Sequence, residues 1–109
     1  MRNVGSLNKL ISFYTSPSED SWEGEVESQL VAEDIWASIS HASAKQYWEA
    51  KAAQVEISHT IVIRYREDID DSMIIKYNNR TFTIRYMYDE DERQEYLVIL
   101  ANEVKKRLH

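Results

Sequence analysis

Apolar positions recur with a period of two in about six separate stretches, the spacing that sets one face of a β-strand against a core. Residues 8–16 (NKLISFYTS) alternate Ile11, Phe13 and Thr15 against Leu10, Ser12 and Tyr14, and Pro17, which has no N–H to give a ladder, ends the run. Residues 30–41 (LVAEDIWASISH) hold a second strand around Ile35, Trp36, Ala37, Ser38 and Ile39. Residues 56–66 (EISHTIVIRYR) are dense in Ile, Val, Thr and Tyr, and residues 72–77 form another strand after the acidic turn 67–71. Asn78-Asn79 suits a tight hairpin turn, since Asn tolerates positive φ. Residues 81–88 carry the cleanest alternation, which predicts Phe82, Ile84, Tyr86 and Tyr88 on one face and Thr81, Thr83, Arg85 and Met87 on the other. After the turn at 89–93, residues 94–104 alternate Tyr96, Val98 and Leu100 against Leu97, Ile99 and Ala101. Leu97, Leu100, Val104 and Leu108 also have helical spacing; the β-branched content and the position after a hairpin favour a strand.

One stretch breaks the pattern. Ser43 and Gln46 have capping-box spacing, and residues 44–54 (AKQYWEAKAAQ) are rich in helix formers. Their apolar stripe is weak, which predicts a short, partly exposed helix inserted between strands. Residues 17–29 (PSEDSWEGEVESQ) read as a long acidic hairpin loop without Lys or Arg. Neighbouring strands joined by short turns predict a mainly β fold: a small antiparallel barrel or sandwich of about six strands with one short helix in a long loop. The expected core is Ile11, Phe13, Trp36, Ile39, Ile61, Ile63, Ile75, Phe82, Ile84, Tyr86, Val98 and Leu100. With one proline and two glycines there is no linker signal, so residues 1–109 are read as one domain, with Lys105-Lys106-Arg107 as a loose end.

Composition narrows the function. The net charge is −6, with 19 acidic against 13 basic residues, which disfavours tight binding to DNA or anionic lipid. No apolar run reaches the ~18 residues of a membrane span, and the N-terminus has no signal-peptide core, so the expectation is a soluble protein made in the cytoplasm. There is no cysteine and hence no disulfide framework.

Candidate chemistry is sparse. His41, His59 and His109 have no zinc-ligand spacing. A calcium loop starting at Asp68 would need Gly at its sixth place and Glu at its twelfth, where the chain has Met73 and Asn79. Asp89-Glu90-Asp91-Glu92 has the character of a hydrated turn, and no nucleophile elbow or phosphate loop occurs. The expectation is a protein that is not an enzyme and holds no metal or cofactor. Two surfaces stand out instead. The acidic loop, with Glu19, Asp20, Trp22, Glu23 and Glu25, is a candidate partner contact, because an exposed Trp is a common interface anchor. The helix, with Lys45, Gln46, Tyr47, Trp48, Glu49 and Lys51, is the second candidate contact surface. A free-standing OB-like barrel that binds oligonucleotide or another small ligand is the alternative reading, its aromatic strand serving as the platform.

The order of several stretches resembles the head–tail joining proteins of long-tailed phages, also called head-closure, head-completion or stopper proteins. Leu7-Asn8-Lys9-Leu10-Ile11-Ser12-Phe13 resembles their opening strand, and Asp34-Ile35-Trp36-Ala37-Ser38-Ile39 after an acidic hairpin resembles their second. Residues 43–54 match their short helical insert. Thr60-Ile61-Val62-Ile63-Arg64-Tyr65-Arg66 with Asp68-Ile69-Asp70 comes next, then the hairpin 73–84 with Arg80, Phe82 and Ile84. The resemblance covers nearly the whole chain. It departs at Leu10, where many relatives carry a basic residue, and in the acidic hairpin, which lacks a second Gly. It implies a small β-barrel that assembles as a ring beneath the portal and its adaptor, closes the DNA exit after packaging and offers the tail a docking surface. The implied partners are other copies of the chain, portal or adaptor proteins on the head side and a tail-completion or tail-terminator protein on the tail side. DNA would pass without specific binding. The implied location is the host bacterial cytoplasm during assembly and then the virion connector.

Overall fold

The computed structural model describes residues 7–15 and 29–104. Six strands close into one antiparallel barrel: β1 (Lys9–Tyr14), β2 (Leu30–His41), β3 (His59–Arg64), β4 (Ile74–Tyr77), β5 (Arg80–Asp89) and β6 (Tyr96–Val104). The order around the barrel is β1-β2-β3-β6-β5-β4, with β4 returning to β1. Helix α1 (Ala44–Ala52) lies in the connection from β2 to β3. The barrel and the inserted helix are the architecture that the alternation and the capping box predict. The run 94–104, open to a helical reading by spacing, is strand β6, paired on both sides.

Alternation fills the interior. Ile11 and Phe13 of β1, Ile35 and Ala37 of β2, Ile61 and Ile63 of β3, Ile75 of β4, Phe82 and Ile84 of β5, and Leu97, Ile99 and Ala101 of β6 form one buried cluster. Ile39 packs against it, partly buried. At one end Ile69, from the loop between β3 and β4, enters the same cluster. That loop is held by Arg66, whose guanidinium donates two hydrogen bonds to Asp68 at 2.9 and 2.7 Å, and by the Asp70 carboxylate, which accepts from the Ser72 N–H at 2.9 Å. Asp68, where a calcium loop would start, and Asp70 are thus both engaged by protein donors, and both are held below the ordinary carboxylate range, Asp68 first by its bonds from Arg66 and Asp70 by those from Ser72.

Three core expectations need correction. Trp36 is 54 % exposed on the outer wall. It is three residues from Ile39, so the two cannot share a face of a regular strand, and Ile35, Ala37 and Ile39 take the inner one. Tyr86 is 58 % exposed. The register of β5 against β6 steps from Ile84↔Ala101 to Tyr86↔Leu100, so Arg85 is an extra residue, a β-bulge. The bulge reverses the facing of the residues beyond it: Met87 packs on the core, while Tyr86 and Tyr88 point out. On β6 the inward set is Leu97, Ile99 and Ala101, so Leu100 belongs to the outer face and is only partly buried, whereas Val98, on that same outer side, is fully buried, as a core residue should be.

Candidate assembly surfaces

The end of the barrel opposite Ile69 is closed by polar groups. His41 and His59 face each other across β2 and β3, with ring centroids 4.8 Å apart. His59 meets the edge of Phe82 at 5.3 Å, and the Arg80 guanidinium sits 5.1 Å from the Phe82 ring. Arg80 donates two hydrogen bonds to the Glu103 carboxylate, at 2.9 and 3.0 Å. All four polar residues follow the inward alternation of their strands one step beyond the apolar core. Where the barrel runs out of apolar neighbours, the inward positions become polar and contact one another.

The protonation pattern is set by the donors. Arg80 can only donate, so the 3.3 Å contact from its Nη2 makes His59 Nε2 an acceptor. The ring proton is then on Nδ1 and is donated to Ser58 Oγ at 2.8 Å. Ser58 Oγ also accepts the Glu103 N–H at 2.8 Å, which ties the limb returning from α1 to β6. The pKa of His59 is lowered, first by burial and then by the Arg80 and His41 charges, against an opposing pull from Glu103. No buried side-chain N or O among the described residues lacks a partner.

Helix α1 stands over this end. Ser43 caps it: its Oγ accepts the Gln46 N–H at 3.1 Å, and its own N–H reaches Gln46 Oε1 at 3.0 Å. The same Oε1 accepts the Thr60 hydroxyl at 3.0 Å, so one amide both caps the helix and binds it to β3. At the other end Ala53 N–H bonds the last turn and Gln54 turns the chain away at φ 62, a position glycine more often fills. Only Ala50 of the helix is buried. Tyr47 and Trp48, the latter 63 % exposed, meet edge to face at 5.4 Å, and Lys51 Nζ lies 5.7 Å from both rings. Between helix and barrel end runs an open cleft of about 1080 Å³, bordered by Tyr47, Trp48, Lys51, His41, His59, Arg80 and Glu103.

Of the residues singled out from sequence, the structure brings Gln46, Tyr47, Trp48 and Lys51 to this cleft or its anchor and leaves Lys45 and Glu49 exposed on the helix. Glu19, Asp20, Trp22, Glu23 and Glu25 lie outside the described residues. The alternation does not point to the group of His41, His59, Arg80 and Glu103; its one signal is a charged residue at the end of an inward-facing run. No group of three or more His, Cys, Asp or Glu among the described residues is placed to hold a metal.

Two outer walls also expose apolar groups. On β1–β2, Leu10 and Trp36 are direct cross-strand partners, both exposed, and Glu33 and Asp34 are near them on β2, Asp34 exposed. On β5–β6, Tyr86 and Tyr88 lie 5.9 Å apart over Leu100 and Val98, with Arg85 exposed in the bulge.

A closed barrel whose polar end is internally paired, and whose exposed aromatics lie on walls and on a projecting helix, has the form of an assembly module. The model of the phage head completion protein family matches residues 2–104, and the chain belongs to that family. It is a phage structural protein of head completion, not an enzyme, and it acts among other phage structural proteins. Among solved structures, the chain is similar to the solution structure of protein SF1141 from Shigella flexneri 2a, with 26 % identity and a TM-score of 0.65 over 97 % of this chain and 100 % of that one. No curated protein matches.

Proposed function

We propose that the chain forms a ring at the head–tail interface that closes the DNA exit after packaging and presents the surface on which the tail docks. The observation that carries this reading is the family match across residues 2–104. Its partners are other copies of itself, portal or adaptor proteins above and a tail-completion or tail-terminator protein below. It assembles in the host cytoplasm and remains in the virion connector. The −6 charge supports a channel that DNA slides past without sticking. Helix α1 is the element offered to the channel or the adjoining ring, because its aromatic pair is exposed and its attachment to the barrel is slight. The acidic segment carrying Glu19, Asp20, Trp22, Glu23 and Glu25 is assigned, on its sequence, to partner contacts.

The test is electron microscopy of lysates from the phage or induced prophage lacking this gene. Separate tails beside heads that have lost their DNA are the expected result. Normal, infectious, tailed particles overturn it and turn attention to ligand binding by the isolated barrel.

A further inference from the structure

The two exposed walls are three strand seams apart in either direction around a six-stranded barrel, the β1–β2 seam facing one way and the β6–β5 seam the other. They are therefore on opposite sides of the molecule. They also differ in kind. The first joins Leu10 and Trp36 to the carboxylates of Glu33 and Asp34; the second joins Tyr86 and Tyr88 to the guanidinium of Arg85. None of these three charges has an ion-pair partner among the described residues. Both walls are interrupted by a bulge at the charged position: Asp34, at φ 56, lies where β2 has an extra residue against β1, and Arg85 is the extra residue of β5. Bulges re-aim side chains, and here each bulge carries an exposed charged residue within two positions of an exposed aromatic one.

We propose that these walls are the two halves of one heterologous self-contact: the β1–β2 wall of one copy docks on the β6–β5 wall of the next, with Trp36 against Tyr86 and Tyr88, and with Arg85 facing Glu33 and Asp34. The occupant is a second copy because each wall supplies what the other lacks in charge, while both offer the aromatic area that interface centres favour. Two different, opposed patches repeat head to tail, and such a contact closes into a ring if the rotation per copy divides a full turn. A contact with two different faces cannot saturate at a symmetric dimer. This inference rests on the ring reading and adds which faces meet.

The chain has no cysteine, so introduced thiols are unique. Leu10→Cys and Tyr88→Cys lie beside Trp36 and Tyr86 and leave those two rings in place, while giving up the Tyr88 share of the contact. The phage carrying the double variant is purified as joined particles and treated with a short bis-maleimide. A ladder of cross-linked multimers from the double variant, and none from either single variant, is expected. Dimers from a single variant show one wall meeting itself and overturn the proposal. Joined, infectious particles without a ladder overturn it too, and leave the ring reading standing. Normal particles from phage lacking the gene sink the ring reading itself. A second pair avoids the apolar positions. Arg85→Glu and Asp34→Lys each reverse an exposed charge and are expected to lower the yield of infectious particles at least roughly ten-fold, with the two together restoring it. Single variants without effect, or a double variant no better than the singles, count against the pairing.

Discussion

Replacing Arg80 by Met tests the polar end of the barrel. Arg80 is bound by two charge-assisted hydrogen bonds to Glu103, lies over Phe82 and donates to His59 Nε2. The ion pair is screened, because the two side chains are 39 % and 22 % exposed, so it belongs near the upper end of the surface range, about 1 kcal/mol. The contact with Phe82 adds about 0.5 kcal/mol at a partly wet site. Met keeps much of the aliphatic stem, so these two contributions together set an expected loss of about 1.5 kcal/mol in a urea titration, with an unchanged m-value. The second readout is specific. Arg80 helps hold the His59 pKa down, so the variant raises it, as followed by the ring protons in an NMR titration. An unmoved or lowered His59 titration refutes the assigned contact, whatever the stability change. A loss above about 3 kcal/mol refutes the claim that solvent screens the pair.

His59 also sets a pH dependence. Its folded pKa is below its ordinary value, chiefly through burial, so the unfolded chain takes up the proton first as the pH falls. Its stabilising contribution is full above about pH 6.5 and is lost as the pH falls from there towards the folded pKa; His59→Gln flattens this part of the melting-temperature profile, and an identical profile refutes the assignment. Deleting residues 45–53 leaves enough chain to close the hairpin between the paired His41 and His59 and removes the bond from Thr60 to Gln46 and the buried Ala50. The barrel is expected to remain folded, with about 1–2 kcal/mol lost, while particle assembly fails; loss of the strand signal in circular dichroism counts against an inserted, separable helix. Deleting Arg85 alone preserves the facing of Ile84, Tyr86 and Met87, because it removes the one residue that breaks alternation. Near-native stability is expected, with the change confined to assembly, and collapse of the fold refutes the bulge.

Legibility in the sequence tracks the alternation and fails where the alternation is interrupted or shared. The strands, the turns and the capping box at Ser43 and Gln46 are readable because each depends on residues close in the chain. Alternation misplaces Tyr86 because a bulge leaves no mark in composition: Arg85 looks like an ordinary outward residue until its partner strand is known. On β6, both alternating sets are apolar, so parity alone cannot choose between Val98 and Ile99; the choice is made by the pairing with β3 and β5. The size of Trp36 argues for the inside, although Ile39 already has a claim to that face. The polar end group is hidden for a different reason. His41, His59, Arg80 and Glu103 are spread along the chain, and only barrel closure brings them together.

Closure also constrains how such a protein joins others. An open sheet can recruit a neighbour by pairing an exposed edge strand, with backbone hydrogen bonds supplying the affinity. Here β4 returns to β1, so among the described residues the barrel offers no unpaired edge. Contacts must be made by side chains on the walls or by segments carried beyond them. The aromatic residues that a small core could have used are found on the outside: Trp36 and Tyr86 on opposite walls, Tyr47 and Trp48 on the inserted helix. Inside, the volume is filled mainly by Ile, with Phe13 and Phe82 as the only aromatic rings of the buried cluster among the described residues. A free monomer gains nothing from exposed rings, whereas in a ring each wall contact recurs in every copy and modest contacts add by avidity. In the proposed ring, the exposed aromatic residues among the described ones serve assembly, while the buried cluster is filled mainly by Ile.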